Sequence, residues 1–228
     1  MEYAISDIHG NVETFRTLVQ KQLNLRPSDT LYLLGDFIDR GPDSAGVVDY
    51  IIQLQEKGYQ VHNLLGNHEW MLLRAIHGDI EMERSWLYNG GEEALNSWDV
   101  AFAKNIPDKY INFFKECSMY IEHPNFYLVH AGFDFKTPFQ ENRYQMLWIR
   151  HWYNQIDYDQ LGHRVVIHGH TPKMKELIEH DLAAMPYPTI NIDAGCFSKK
   201  EGYGYLCAYN MTENKLIFQK NVDTRELF

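Results

Sequence analysis

Side chains that could bind a divalent metal follow several short apolar runs of this sequence. They lie in the segments "SDIHG", "GDFIDRG", "GNHE", "VHAG" and "HGHTP", which begin at residues 6, 35, 66, 129 and 168. Carboxylate, imidazole and amide groups together suit manganese, iron or zinc. Two such ions held about 3.5–4 Å apart are typical of enzymes that cleave phosphate esters. The sequence therefore suggests metal-assisted phosphoester chemistry.

The spacing within these segments indicates how ions could be bound. Asp7 and His9 are two residues apart, so in extended backbone both side chains point to the same side and can bind one ion. Asp36 is a candidate for a carboxylate that bridges two ions. Each segment alone has a simpler explanation, such as a core histidine, a turn, or a helix start with Asn67 as its cap. Because five of them occur in one chain, we favour a metal site, with His168 in the core or in a supporting role.

The apolar pattern predicts that each polar segment ends a strand. In the first third, the runs "YAIS", "TLYLL" and "YQVHNLL" predict three strands. Helical periodicity predicts two helices between them, over residues 11–23 and 42–58. Asp43 or Ser44 would cap the second helix, and Gly58 would lie just beyond its end. The chain thus begins as strand, helix, strand, helix, strand.

The rest of the chain changes from helix to strand. Residues 69–117 predict mostly helix, with a break at residues 89–91 and a new start at Pro107. Strand signals return in "NFYLVH", "RVVIHGH", "TINIDAG", "YGYLCAYN" and "KLIFQKNV". This pattern predicts sheets packed together with helices outside. Because binding sites collect on loops at the carboxyl ends of strands, we expect the polar segments to converge.

Length and charge narrow the class of protein. The 228 residues suit one domain, residues 1–228, that buries its own core. The net charge of −10 argues against nucleic-acid and anionic-membrane partners, which attract basic surfaces. Three cysteines without paired spacing predict reduced thiols. With no signal peptide or bilayer-length apolar run visible, we expect a cytoplasmic protein.

The order of the motifs resembles that of the phosphoprotein phosphatase family of metallophosphoesterases. Its Asp-x-His-Gly, Gly-Asp-x-x-Asp-Arg-Gly and Gly-Asn-His-Glu motifs match "DIHG", "GDFIDRG" and "GNHE". Its later His-Gly-Gly and Gly-His-Thr motifs match "HAG" and "GHT", and "NIDAGC" is similar to its closing strand. The short chain is most similar to the bacterial and bacteriophage lambda-type serine/threonine phosphatases. The resemblance implies a metallophosphoesterase fold of the α+β class, a four-layer α/β/β/α arrangement in which two packed mixed sheets are flanked by helices.

The resemblance also implies a role for each motif residue. Two divalent ions, manganese first and iron or zinc as alternatives, would be bound by Asp7, His9, Asp36, Asn67, His130 and His170. His68 would be the general acid, and Asp39 would orient its ring and raise its pKa. Arg150 matches a second arginine of the family, with Arg143 as the alternative. The phosphate would be bound by Arg40, Arg150 and Asn67.

The expected activity is that of a metal-dependent phosphomonoesterase in which a metal-activated hydroxide attacks phosphorus in line. A serine/threonine protein phosphatase is the first interpretation, with a phosphoprotein or a small phosphoester as substrate. A symmetrical dinucleoside tetraphosphatase is the alternative. It ranks second because that branch tends to carry "GNHD" and "GHW" where this chain has "GNHE" and "GHT". A third interpretation is a catalytically weak protein that binds a phosphorylated ligand. The sequence does not indicate an oligomeric state.

Overall fold

The computed structural model describes residues 1–185 and 187–223, and its strands form two sheets. In these residues the strands are β1 (Glu2–Ile5), β2 (Thr30–Leu33), β3 (Gln60–Asn63), β4 (Tyr120–Glu122), β5 (Phe126–Val129), β6 (Val165–His168), β7 (Thr189–Asn191), β8 (Tyr205–Asn210) and β9 (Lys215–Lys220). The larger sheet has the order β3-β2-β1-β8-β9, in which β1, β2 and β3 are parallel and the last two strands are antiparallel. The smaller sheet, β4-β5-β6-β7, is parallel except for β4. Both sheets are therefore mixed.

Helices occupy most of the chain between the strands. Over the described residues the α-helices are α1 (Val12–Thr17), α2 (Ser44–Glu56), α3 (Asn67–Ile76), α4 (Ile80–Trp86), α5 (Glu92–Ser97), α6 (Asp108–Glu116), α7 (Arg143–Trp148), α8 (Tyr158–Leu161) and α9 (Lys175–Ala184). π-helical turns continue α1 over Leu18–Gln22 and α4 over Leu87–Gly91. Within this part of the chain, no helix has the length and apolar character needed to cross a membrane.

Alternation along the strands produces the layers. In the larger sheet, Ile5 and Leu33 are buried against helices, in one cluster with Phe15 of α1 and Ile51 of α2. Neighbouring residues on the same strands, such as Ala4, point the other way, into the space between the two sheets. The expected α+β fold with two packed mixed sheets is confirmed.

The smaller sheet alternates in the same manner. Leu128 of β5 and Ile167 of β6 face the larger sheet. Tyr127 and Val166 face outward and are covered by an aromatic cluster that includes Trp152. Helices α7 and α8 add residues to this outer cover. The four layers are therefore helix, sheet, sheet and helix, each buried by apolar contact with the next.

Several local predictions are confirmed. Asp43 caps α2, because its Oδ1 accepts a 2.7 Å hydrogen bond from the backbone N–H of Gly46. Gly58 follows the end of this helix with φ of 85°. The predicted break at residues 89–91 coincides with the second π-turn, where Gly90 has φ of 114°. The sequence pattern missed α9, in which Ile178 is the buried residue, and the three-residue strand β4.

We predict that Phe15→Ala lowers the free energy of unfolding by about 3–5 kcal/mol, because deleting a buried ring leaves a cavity. The ring is fully buried between α1 and the larger sheet, and its centroid lies 5.4 Å from that of Tyr50. Denaturant unfolding measures the effect. Phe102→Ala is the matched control, since Phe102 is 59% exposed, and it should change the free energy by less than about 0.5 kcal/mol. Equal effects of the two substitutions would contradict the assigned core.

Candidate metal centre

Backbone hydrogen bonds between loops bring the polar segments to one edge of the larger sheet. β1 and β2 are parallel, with Ile5 opposite Leu33, so the loops that follow them leave from the same edge. The N–H groups of Ile8 and His9 both donate to the carbonyl oxygen of Asp36, at 3.0 and 2.9 Å. The register of the sheet thus places residues some 30 positions apart in sequence side by side.

Two groups of buried side chains have ligand atoms close enough to bind ions. Within each group the atoms lie within 4.8 Å of one another. The first contains His9, Asp36 and His68, and the second contains Asp36, His130 and His170. Asp36 is common to both, as expected for a bridging carboxylate. The structure therefore brings together five of the residues that the sequence singled out.

The second group has the donor atoms that a cation requires. His130 Nε2 lies 3.2 Å from His170 Nδ1, and Asn67 Oδ1 lies 2.9 Å from each of these nitrogens. His130 Nδ1 donates to the carbonyl oxygen of Leu34 at 2.9 Å, which leaves the lone pair of Nε2 directed at the group. Convergence of ring nitrogens, an amide oxygen and a carboxylate fits a divalent ion.

The first group follows the same logic. His9 Nδ1 donates to the carbonyl oxygen of Ile38 at 2.9 Å, so its Nε2 faces the Asp36 carboxylate at 3.6 Å. His68 Nε2 lies 3.9 Å from the same oxygen of Asp36, close enough to be a ligand, although the resemblance implies that His68 is the general acid and that Asp7 is the ligand here. When divalent ions are bound at such a pair of sites, they neutralise phosphate charge and lower the pKa of bound water. The residues present are therefore suited to a two-metal centre.

Asp7 lies beside these groups without belonging to either. Its carboxylate accepts hydrogen bonds from the backbone N–H of His170 at 3.1 Å and from Ser6 Oγ at 2.7 Å. Its Oδ2 packs so closely against Gly169 that a Cβ there would overlap it, which explains the need for glycine. The assignment of Asp7 as a ligand stays a prediction.

Asp193 is a buried acid near the centre that the sequence reasoning did not assign. Burial, followed by the nearby Asp7 carboxylate, raises the pKa of Asp193 well above its usual value. It follows strand β7 in "NIDAG", as the other polar residues follow theirs. The same rule of polar residues at strand ends could have identified it.

Backbone strain is concentrated at the centre. His9, Asp36, Asp39, Arg40 and His170 all have φ between 48° and 72°, in the left-handed region. A side chain in that region costs of order 1–3 kcal/mol and persists only where the surroundings impose it. Such strain lowers the stability of the fold and is common at functional sites. Its concentration in these loops therefore supports a functional role for them.

Glu69 holds two of these loops together. Its carboxylate accepts hydrogen bonds from the backbone N–H groups of Asp36 at 2.9 Å, Phe37 at 2.7 Å and Gly66 at 3.0 Å. Burial and the neighbouring Asp36 raise the pKa of Glu69 to about 8. It is a structural acceptor, and it fixes the position of Asp36 relative to the start of α3.

His68 is held by a chain of hydrogen bonds that runs into the core. Its Nδ1 lies 2.6 Å from Asp39 Oδ2, and Asp39 Oδ1 accepts a 3.0 Å hydrogen bond from Trp86 Nε1. The orientation of the His68 ring by Asp39 is present in this geometry, whereas the expectation that Asp39 raises the pKa of His68 stays a prediction. Burial lowers the pKa of His68 to about 4, and burial also raises that of Asp39. Trp86, a fully buried residue 47 positions from Asp39, was not predicted to take part.

Two arginines border the centre. Arg40 Nη1 lies 2.7 Å from His9 Nε2, and its guanidinium carbon lies 4.4 Å from the ring centre of Phe197. Arg150 is exposed and donates to Thr171 Oγ1 at 3.4 Å, beside His170. Arg143 instead lines a separate surface cavity with Cys117. The geometry therefore favours Arg150 over Arg143 as the second arginine at this site.

Comparison with known proteins agrees with this geometry. The profile of the calcineurin-like phosphoesterase family matches residues 3–174, about three-quarters of the chain. The chain belongs to the calcineurin-like phosphoesterase family. The two groups of ligand atoms lie in the matched region, which ends beyond His170.

Individual relatives align with only part of this chain. It is 43% identical over 97 residues to a symmetrical bis(5'-nucleosyl)-tetraphosphatase of Buchnera aphidicola, an alignment that spans 42% of this chain and 33% of that protein. It is 42% identical over 72 residues to a zinc-dependent endopolyphosphatase of Saccharomyces cerevisiae, spanning 31% and 21%. The chain thus aligns with a third or less of the length of these relatives.

A solved structure supports the fold over the whole phosphoesterase. A protein serine/threonine phosphatase from Saccharomyces cerevisiae superposes with a TM-score of 0.65 and 13% identity. The superposition covers 99% of this chain and 81% of that one. At this level of identity the likeness concerns the fold alone.

We predict that Asp36→Asn removes metal from both sites, because both groups of ligand atoms share this carboxylate. Mass spectrometric metal analysis after loading with manganese should find about two ions per chain in the unsubstituted protein and well under one in the variant. Asp49→Asn is the control, since Asp49 forms an exposed ion pair with Lys109. Loss of only one ion in the variant would contradict the bridge.

We predict that Trp86→Phe lowers kcat about 10–100-fold at unchanged metal content, because the Asp39 carboxylate loses a buried hydrogen bond worth about 1.5–3 kcal/mol. If His68 is the general acid, the loss should be larger for alkyl phosphates than for aryl phosphates, whose leaving groups need less help from a proton. Trp98→Phe is the control, since Trp98 Nε1 has no hydrogen-bond partner among the described residues. A uniform loss across leaving groups would contradict this role of Trp86.

Proposed function

We propose that this protein hydrolyses dinucleoside tetraphosphates symmetrically, so that each substrate gives two nucleoside diphosphates. The observation that carries this proposal is a pair of grooves, one lined by each arginine of the centre. A phosphate monoester has one organic group on phosphorus. A dinucleoside tetraphosphate has a nucleotide arm on both sides of the bond to be broken.

The two grooves are each linked to the centre by one arginine or its neighbours. The first, about 690 Å³, is lined by Arg40, which contacts His9 of the first group. The second, about 430 Å³, is lined by Arg150, Thr171 and His168, beside His170 of the second group. Their lining residues do not overlap. Each groove is of a volume that suits part of a nucleotide ligand.

The partial relatives agree with a polyphosphate substrate. One is named a tetraphosphatase and the other an endopolyphosphatase, and both names refer to cleavage within a phosphate chain. The attack on phosphorus is similar for esters and anhydrides, so the motifs of the centre suit both. We therefore place the anhydride first and the phosphomonoester second, which reverses the order given by the motif letters alone.

In this proposal different side chains bind the metal ions, bind the phosphate and donate the proton. Metal ions, with manganese as the first choice and zinc or iron as alternatives, are bound by Asp7, His9, Asp36, Asn67, His130 and His170. Arg40 and Arg150 donate paired hydrogen bonds to phosphate oxygens, as guanidinium groups do. His68, held by Asp39, gives a proton to the departing oxygen. Asn67 also contacts the phosphate.

A serine/threonine protein phosphatase remains the second candidate. The observation in its favour is in the sequence. This chain has "GNHE" and "GHT", as that branch of the family does, whereas the tetraphosphatase branch tends to have "GNHD" and "GHW". The phosphorylated peptide would then lie along one or both grooves. Substrate preference separates the two candidates.

We predict that manganese-loaded protein converts diadenosine tetraphosphate to ADP alone, with kcat/KM at least about 100-fold above that for a phosphoserine peptide, a preference worth about 2.7 kcal/mol. Chromatography of the nucleotides and release of phosphate measure the two reactions. His68→Asn is the catalytic control, expected to lose roughly 10²–10⁴-fold in kcat while keeping its metal.

Three other results would each contradict the proposal. AMP and ATP as products would show asymmetric cleavage. A higher kcat/KM for the phosphopeptide would favour the protein phosphatase. Tight binding of phosphorylated ligands without turnover of any substrate would favour the catalytically weak binding protein.

A further inference from the structure

We propose that the groove beside Arg40 is a binding subsite for one nucleoside diphosphate arm of the substrate, with Lys199 and Lys200 contacting the phosphates beyond the scissile one. This inference rests on the proposed function. It goes beyond that function because it names the residues that recognise the part of the substrate outside the metal centre. Neither lysine belongs to the motifs, and residues 199 and 200 lie outside the region that matches the family profile.

Arg40 connects the groove to the metal centre. Its guanidinium is fixed between His9 Nε2 at 2.7 Å and the face of the Phe197 ring at 4.4 Å. The same arginine and Phe197 line the groove. A phosphoryl group bound by Arg40 would therefore lie beside the groove, because the same guanidinium contacts His9 and lines the groove.

The groove carries a local positive charge that the net charge of the protein conceals. Besides Arg40, it is lined by Lys199, Lys200 and Lys220, and all three lysines are exposed. In residues 1–185 and 187–223, the ammonium groups of these lysines form no ion pair within 4.0 Å. Cations without partners along a groove are suited to a ligand with several negative charges.

Acidic residues also line the groove, and they do not cancel this charge. They are Glu176, Glu201 and Asp223. The Asp223 carboxylate already accepts hydrogen bonds from the backbone N–H groups of Glu13 at 3.0 Å and Thr14 at 2.8 Å, so it serves the start of α1. Four cations thus line the groove against three carboxylates, and one of these carboxylates is already occupied by backbone donors.

The loop that carries the lysines is held in place from several sides. Within it, Gly204 N–H donates to the Gly195 carbonyl oxygen at 3.1 Å. From outside, Asn221 Nδ2 donates to the Cys196 carbonyl oxygen at 2.7 Å, and the N–H of Lys175 donates to Gly202 at 2.8 Å. A loop fixed in this way presents its lysines without a large ordering cost on binding.

An aromatic surface completes the subsite. Phe197, Tyr203 and Tyr205 line the same groove and are partly exposed. Aromatic rings are suited to stacking against a nucleobase, which is worth about 1–3 kcal/mol per base in single-strand binding proteins. Phosphate contacts near Arg40 together with rings in the same groove match a nucleoside diphosphate better than a phosphopeptide, which has a single phosphate.

Inhibition by ADP and by inorganic phosphate tests the subsite. With an aryl phosphate as substrate, Lys199→Ala/Lys200→Ala should raise the inhibition constant of ADP about 5–10-fold, as expected for two exposed charge contacts. The inhibition constant of inorganic phosphate should stay within about twofold, because phosphate reaches only the metal centre and Arg40. Calorimetric titration of ADP into manganese-loaded His68→Asn protein, with and without the lysine substitutions, should show the same loss of affinity.

The control is Lys57→Ala/Lys115→Ala, which removes the same charge from two exposed lysines outside the groove. It should leave both inhibition constants unchanged. An unchanged ADP constant in the groove variant would overturn the subsite, as would an equal rise for ADP and phosphate, which would indicate a long-range field. Failure of the proposed function is a separate result, since it appears as absence of diadenosine tetraphosphate hydrolysis by the unsubstituted protein.

Discussion

One buried carboxylate organises this site. Asp36 Oδ2 lies 3.6 Å from His9 Nε2, 3.5 Å from His130 Nε2 and 3.9 Å from His68 Nε2, so side chains from separate segments converge on a single oxygen. A buried carboxylate is costly unless cations or donors surround it. Here Glu69 fixes the backbone of the Asp36 loop, and the left-handed φ of 51° directs the side chain inward. The energetic cost of a strained backbone and a buried carboxylate at Asp36 is thus linked to the position of its ligand atoms.

The parts of the fold that follow from local chemistry could be predicted from the sequence. Apolar runs predicted most of the strands, and Asp43 and Gly58 predicted the two ends of α2, because these signals act within a few residues. Polar residues at strand ends predicted that these side chains lie close together, because the carboxyl ends of parallel strands lie at one edge of a sheet. Trp86 could not be found in this way. A buried tryptophan has the same sequence signature whether or not its N–H donates to a buried carboxylate, and only the folded chain brings Trp86 to Asp39.

The motifs also do not distinguish between the two candidate substrates. "GNHE" and "GHT" contain groups that are proposed to act at phosphorus, and such groups would serve an ester and an anhydride alike. What distinguishes the two substrates is the space on either side of phosphorus. In the proposed function that space is the two grooves, which are lined by loops after β7 and around α7 that have no fixed motif. The comparisons accordingly favour the alternative that the motif letters ranked second.

The net charge indicates which classes of partner are disfavoured, but it does not reveal the local charge of the groove beside Arg40. A charge of −10 is an average over the surface, and it disfavours extended polyanions such as nucleic acids, which contact a broad area. A short polyphosphate contacts only the few cations within reach of the metal centre. Arg40 and the unpaired lysines of one loop can supply that local field, which decays over a Debye length of about 8 Å at physiological salt. A negative net charge is therefore compatible with the proposed binding of a short polyphosphate in this groove.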